Sequence, residues 1–181
     1  MKIGIEGSTC SGKTTFLNYL GFKADGLRKK IKIISERATE CPLPLNEKGG
    51  MRTQLWIMNR HIEKEYDAQK ECPIVITDRT VFAGIAYLQL GQHTIDELIF
   101  VTNVAYQWNK AFPYDYVLYF ASIPELALSD GAQQFQTKID KALRIIISDN
   151  IPHDRIIYIP YQLKEKRCEN TFQILNKLIG E

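Results

Sequence analysis

An α/β fold, with a five-stranded parallel sheet sandwiched between helices as a three-layer αβα domain, is what this sequence predicts, and three observations carry the prediction. Five apolar runs rich in β-branched residues recur at Lys2 to Glu6, Ile31 to Ser35, Pro73 to Thr77, Tyr116 to Phe120 and Arg155 to Ile159. Helical patterns separate them, and near-continuous apolar strands alternating with helices imply a parallel sheet buried on both faces. The chain has 181 residues, 45% hydrophobic and 24% charged, which suits one domain over residues 1–181 with a full core.

The first strand leads through a glycine-rich turn into a helix whose Phe16, Leu17 and Leu20 face inward. After the second strand, the irregular stretch Ala38 to Gly50 holds two prolines and a Gly-Gly pair. It leaves the sheet at the strand end where open α/β sheets bind ligands, so residues 38–70 are expected to form the substrate side. Its helical part, about Met51 to Lys70, carries Leu55, Met58, Ile62 and Tyr66 on one stripe. A further helix starts at Thr94, which forms a capping box with Glu97, and buries Leu98, Val101, Ala105 and Trp108. Ser122 and Glu125 form a second capping box with Pro124 in the first turn, predicting a short helix that breaks at Asp130-Gly131. Helices then follow from roughly Gln134 to Asp149 and from Asn170 to Ile179, the last presenting Phe172, Leu175 and Ile179 to the core.

Gly7-Ser8-Thr9-Cys10-Ser11-Gly12-Lys13-Thr14 fits G-x-x-x-x-G-K-[ST], the Walker A phosphate-binding loop (P-loop), at every defined position. It lies between an apolar strand and an amphipathic helix, the context this motif requires. Glycine lets successive backbone N–H groups turn inward on phosphates at the positive end of the following helix. Lys13 is placed to reach the β and γ phosphates and the Thr14 hydroxyl to ligate magnesium, so Gly7 to Thr15 is expected to cradle ATP with Mg²⁺. Cys10, inside the loop, reads as a small tolerated residue; a thiol near a helix N-terminus is also oxidisable.

Ile74-Val75-Ile76-Thr77-Asp78-Arg79 puts an acid at the end of an apolar strand expected beside the first. There Asp78 would hold Mg²⁺ through water or take a proton from an acceptor hydroxyl, and Arg79 offers a fork of donors suited to phosphate oxygens. Ser35-Glu36-Arg37 closes the second strand in the same manner, so Glu36 and Asp78 would converge near the terminal phosphate. Both pairs also read as ordinary strand-end features: an Asp-Arg turn, and a Glu-Arg ion pair.

Together, Gly7 to Thr15, Glu36-Arg37 and Asp78-Arg79 resemble the P-loop nucleoside and nucleotide kinases, and with Asp130-Gly131 they resemble most the AAA-like ATPase/kinase family that contains the nicotinamide riboside kinase domain of bifunctional NAD regulators. The resemblance implies a nucleotide-kinase-like P-loop NTPase fold. It implies Lys13, Glu36, Asp78 and Arg79 as catalytic residues, Thr14 and Asp78 at the metal, and Glu36, Arg37, Gln54 and Arg79 at the acceptor. Gln54 matches a glutamine that reads a nucleoside base, with Trp56 and Arg60 nearby; a side-chain amide donates and accepts at once. Gln54 equally reads as a polar residue on a surface helix, and His61, on the same face, takes no role. The family's Asp-Gly-x-Arg is Asp130-Gly131-Ala132-Gln133 here, so the lid region, 122–145, lacks its arginine. Lys138, Lys141 and Arg144 follow at helical spacing as substitutes or as a solvated stripe.

The expected function is an ATP- and Mg²⁺-dependent kinase phosphorylating a small acceptor, a nucleoside or nucleotide, with a non-kinase ATPase or nucleotide-sensing module as the alternative. A Ras-like GTPase is disfavoured, since Asn109-Lys110 has no Asp two residues on and falls in a helical pattern. A net charge of +2 gives no basis for a nucleic-acid partner. No signal-like segment and no apolar stretch near the ~20 residues of a spanning helix is present, so the expectation is a cytoplasmic protein without a membrane partner. Cys10, Cys41, Cys72 and Cys168 are far apart, with no zinc or disulfide pattern. A homodimer is compatible with the sequence but not indicated by it.

Overall fold

In the computed structural model the described residues are 1–23, 31–36, 38–122 and 131–180, with residues 131–134 described by backbone alone. Strands β1 (Lys2–Glu6), β2 (Ile31–Ile34), β3 (Ile74–Asp78), β4 (Tyr116–Phe120) and β5 (Ile156–Ile159) form one sheet in the order β2-β3-β1-β4-β5. Every pairing is parallel. All five strands lie within about a residue of the predicted spans, and β3 stands beside β1, with Ile5 opposite Asp78.

Helices α1 (Lys13–Lys23), α2 (Met51–Glu71), α3 (Ala83–Leu90), α4 (Ile95–Ala111), α5 (Gly131–Asn150) and α6 (Lys164–Ile179) cover the sheet. The period-two alternation of the strands sorts them into layers. Ile3, Ile5, Leu118 and Phe120 pack with α1 and α6 on one face. Val117 and Tyr119 face the other, with α3, α4, α5 and Met58 of α2. This is a three-layer αβα domain of the nucleotide-kinase type.

Thr94 caps α4 as predicted, its hydroxyl accepting from Glu97 N while the Glu97 carboxylate accepts from Thr94 N. Helix α3 was not foreseen: Ala83, Ile85, Ala86 and Leu88 bury it on several sides, which removes the 3.6-residue contrast between faces. Helix α6 starts six residues earlier than expected, in a polar turn. The second capping box, the short helix after β4 and the Asp130 position fall outside the described residues, as does Arg37. Among the described residues no helix is long and apolar enough to cross a membrane.

A buried polar hub ties β1 to the helical layer. The Glu65 carboxylate of α2 is fully buried and accepts from Lys2 Nζ at 2.8 Å, from Tyr114 Oη and from Trp108 Nε1, with His61 Nε2 at 3.1 Å. Against the desolvation imposed by burial, His61 and Lys2 hold its carboxyl down to about 2. One consequence is positional: His61 is clamped on the inner side of α2.

Candidate nucleotide and acceptor site

The phosphate loop sits at the C-terminal end of β1, between β3 and β4, where the parallel sheet opens. Gly7 adopts φ +139°, and a Cβ there would run into the Phe120 carbonyl oxygen of β4. Gly12 is also at positive φ, as is Cys10 at +58°. Lys13 is buried and its ammonium donates to the carbonyls of Gly7 (2.9 Å) and Ser8 (2.8 Å) and to Ser11 Oγ (3.3 Å). Burial, with the Arg79 guanidinium next in effect, pulls it down to about 7.

A cavity of about 290 Å³ opens beside the loop, close to the lower bound of small-molecule pockets. Thr9, Cys10, Lys13 and Thr14 line it, together with Glu36 and Asp78. Gln54, Met58 and His61 of α2 and Gly84 of α3 line it as well. The 38–50 stretch contributes Ala38, Thr39, Leu45 and Asn46. The predicted carboxylates and Gln54 therefore share one cavity with the loop. Gln54 is only 3% exposed, so its alternative reading as a solvated surface residue is corrected: α2 turns this face inward. Trp56 and Arg60 are not among the lining residues; the Arg60 guanidinium sits over the Trp56 ring and pairs with Glu63.

Asp78 ends β3 nearly buried, and its Oδ1 has no hydrogen-bond partner among the described residues. Burial raises its pKa, opposed by the Lys13 charge. Ser8 Oγ is a second buried atom without a partner among the described residues. A carboxylate oxygen left free among the described residues, in one cavity with the exposed Thr14, is a donor set that suits a hard cation such as magnesium with its waters.

Arg79 also lines the cavity, and its side chain is held by protein partners. It has φ +85°, and its guanidinium is turned into the protein. Nε donates to Glu36 Oε1 at 3.2 Å, Nη1 to Glu6 Oε1 at 3.1 Å and to the Gly7 carbonyl, and Nη2 to Tyr87 Oη at 3.1 Å. Most of its fork is thus engaged by protein, and it links the end of β2 to the phosphate loop. Arg144, a candidate substitute for the missing lid arginine, is likewise committed, donating to Asp140 at 2.8 Å and lying over the Tyr119 ring. Lys138 and Lys141 are exposed on α5 and absent from the cavity lining.

Sequence reasoning missed Glu6. This last residue of β1 is fully buried and collects four donors: Gly7 N and Arg79 Nη1 on one oxygen, Thr80 N and Thr80 Oγ1 on the other. A charged residue closing an apolar strand was the available signal. Tyr87 and Gln136 were missed too. Tyr87 Oη accepts from Arg79, and Gln136 of α5 donates to the Thr9 carbonyl of the loop. His61, given no role from the sequence, lines the cavity.

Comparison with known proteins agrees with this fold. No curated protein matches the chain. Among solved structures it is similar to deoxyadenosine kinase from M. mycoides, described with products dCMP and a flexible dCDP bound, at a TM-score of 0.65 and 16% identity over 98% of this chain and 100% of that one. It is also similar to the NadR protein in complex with NAD and AMP-PNP, at a TM-score of 0.76 and 14% identity over 99% of this chain. It spans 49% of the NadR chain, about half of that protein's length. At these identities the likeness establishes the fold. Residues 2–146, most of the chain, match the family AAA_28, described as an AAA domain, and the protein belongs to that family.

Proposed function

We propose that this protein is an ATP- and Mg²⁺-dependent kinase that transfers the γ-phosphoryl group to a small acceptor, a nucleoside or nucleotide. The observation that carries the proposal is that Lys13 and Thr14, Glu36 and Asp78, and Gln54 all line one cavity. Phosphoryl transfer needs little covalent chemistry from a protein; it needs two substrates held in line and charge stabilised between them. A single cavity lined by the phosphate-loop lysine, two carboxylates and an amide would supply that positioning.

Gly7 to Thr15 would hold the triphosphate, with Lys13 exchanging loop carbonyls for β and γ phosphate oxygens. Thr14 and Asp78 would hold magnesium. When bound, the ion would neutralise charge on the phosphate oxygens. Glu36 keeps Oε1 on Arg79 and has Oε2 for an acceptor hydroxyl. It would take the hydroxyl proton as the new O–P bond forms and the bond to ADP breaks. Arg79 would orient Glu36 and, through Nη2, approach phosphate; Arg37 and Gln54 would contact the acceptor, Gln54 reading a base edge. Residues 38–70 would form the acceptor side and 122–145 the cover. The name of one similar structure, a deoxyadenosine kinase, and the resemblance to nicotinamide riboside kinase domains suggest the first acceptors to try: deoxynucleosides and nicotinamide riboside. The test is ADP release from Mg-ATP with such a panel; no acceptor-dependent ADP above that of Lys13→Ala would end the kinase reading.

One observation favours a second reading, an ATPase or nucleotide-sensing module. Among the described residues lining the cavity, Lys13 and Arg79 are the arginine and lysine side chains, and Arg79 is largely engaged by protein. Such a module would bind ATP with turnover indifferent to every acceptor and to Glu36→Gln.

A further inference from the structure

Arg167, in the first turn of α6, reaches beneath the phosphate loop from a point remote in sequence. The residue is 4% exposed. Nη1 donates to the Ser11 carbonyl at 2.8 Å, and Nη2 donates to the Ala121 carbonyl at 2.9 Å and the Ile159 carbonyl at 3.0 Å. The group lies 4.9 Å from the Phe120 ring centroid, and its Nε is buried with no hydrogen-bond partner among the described residues. All three acceptors are uncharged, and among the described residues no carboxylate forms an ion pair with it. Burial accordingly pulls its pKa below the usual arginine value. A buried cation without a counter-ion is costly, so its placement calls for a compensating role.

The contact with Ser11 has a geometric consequence. In a trans peptide the carbonyl of one residue and the N–H of the next point in opposite directions. No peptide bond among the described residues is cis. Holding the Ser11 oxygen toward α6 therefore aims the Gly12 N–H away from α6. Gly12 has φ +89° and no side chain, so its own preferences leave this peptide free to rotate. An external anchor is what fixes it.

We propose that Arg167 is a positioning residue for nucleotide binding: by holding the Ser11 carbonyl it presents the Gly12 N–H to a bound phosphate, and its charge, behind that peptide, attracts the anion. The inference rests on the reading of the loop as an ATP site. It adds a partner from the far end of the chain, which ties the loop to the ends of β4 and β5.

Ser11-Gly12 is the single Ser-Gly pair in the sequence, so labelling serine carbonyl carbon with ¹³C and glycine nitrogen with ¹⁵N isolates the Gly12 amide in a carbonyl-correlated NMR spectrum. Titration with Mg-ATP, followed by this signal and by calorimetry, is compared for wild type, Arg167→Met and Arg167→Lys, with melting temperatures measured without nucleotide. The expected result is a downfield move of the wild-type Gly12 proton on binding. In Arg167→Met that move is lost and affinity falls about tenfold or more, the scale of a charge-assisted hydrogen bond. Arg167→Lys, which keeps a donor for Ser11, falls between, and the nucleotide-free melting temperatures do not track the affinities. Wild-type affinity within about twofold in Arg167→Met, with the same Gly12 shift, overturns the inference while leaving the ATP site intact. If Arg167→Met does not fold, the lysine variant decides: an unchanged affinity and shift overturn the inference, and a weakened affinity with a smaller shift supports it. Failure of the wild type itself to bind Mg-ATP overturns the ATP reading and the inference together.

Discussion

Replacing Glu6 by glutamine tests the arrangement that holds the site together. The Glu6 carboxylate is fully buried and takes four donors, at 3.1 Å from Gly7 N, 3.1 Å from Arg79 Nη1, 3.0 Å from Thr80 N and 2.9 Å from Thr80 Oγ1. Whichever way an amide is placed, its NH₂ faces two of these donors. Directed at Thr80, it can use the hydroxyl as an acceptor but strands the backbone N–H. Directed at Gly7, it also meets the Arg79 guanidinium. The charge opposite Arg79 is lost in either case, leaving that buried cation with the partly exposed Glu36 alone. Breaking a buried ion pair from one side costs about 3–5 kcal/mol. At about 2–4 °C per kcal/mol for a domain of this size, the melting temperature should fall by at least about 6 °C. Glu36→Gln is the control: its carboxylate is 35% exposed and gives Arg79 one bond, so its loss should cost about 1 kcal/mol or less. Calorimetric or circular-dichroism melts of both variants decide it. If Glu6→Gln melts within about 2 °C of wild type, or below it by no more than Glu36→Gln, Glu6 is not the anchor described here.

Burial and Arg79 bring Lys13 down to about 7, so at pH 8 it is mostly neutral in the free protein and at pH 6 mostly charged. Triphosphate favours the charged form, and Mg-ATP binding should therefore take up close to one proton at pH 8 and almost none at pH 6, measured by calorimetry in buffers of different ionisation enthalpy. Glu65 gives a second pH effect. Its folded pKa of about 2 lies below the unfolded value near 4.5, so its contribution is complete above about pH 4.5 and lost as pH falls toward 2. The gap corresponds to about 3 kcal/mol, which denaturant melts across that range should show for wild type and lose in Glu65→Gln. Gly7→Ala meets both a positive φ and the Phe120 carbonyl, and should abolish Mg-ATP binding in a thermal-shift assay.

What could be read from the sequence was what is local. The phosphate loop is eight consecutive residues whose backbone demands are written in two glycines, and strand β3 shows itself through an apolar run ending in an acid. The capping box of α4 spans four residues and was equally plain. Residues 83–90 were opaque for a physical reason: a helix buried on several sides has no polar face to set a period. Glu6 and Arg79 stand 73 residues apart, and nothing near either one announces that the arginine will turn toward β1 rather than toward a ligand. Arg167 lies in the charged run Lys164 to Arg167 and was not singled out, because its partners are carbonyl oxygens, which every residue carries. Gln54 was singled out by resemblance alone, and its burial came from the pairing of α2 with α3, which spacing does not encode.

The claim at the centre of this account is that the cavity beside the phosphate loop takes an acceptor in line with ATP. Following radiolabel from γ-labelled ATP into deoxynucleosides, nucleoside monophosphates and nicotinamide riboside, in the presence of Mg²⁺, tests it most directly. The account predicts a phosphorylated product with at least one acceptor, lost with Lys13→Ala, and reduced by about a hundredfold or more with Glu36→Gln, the scale of general-base catalysis. Label released only as inorganic phosphate, at a rate the same with and without every acceptor and unchanged by Glu36→Gln, would contradict it.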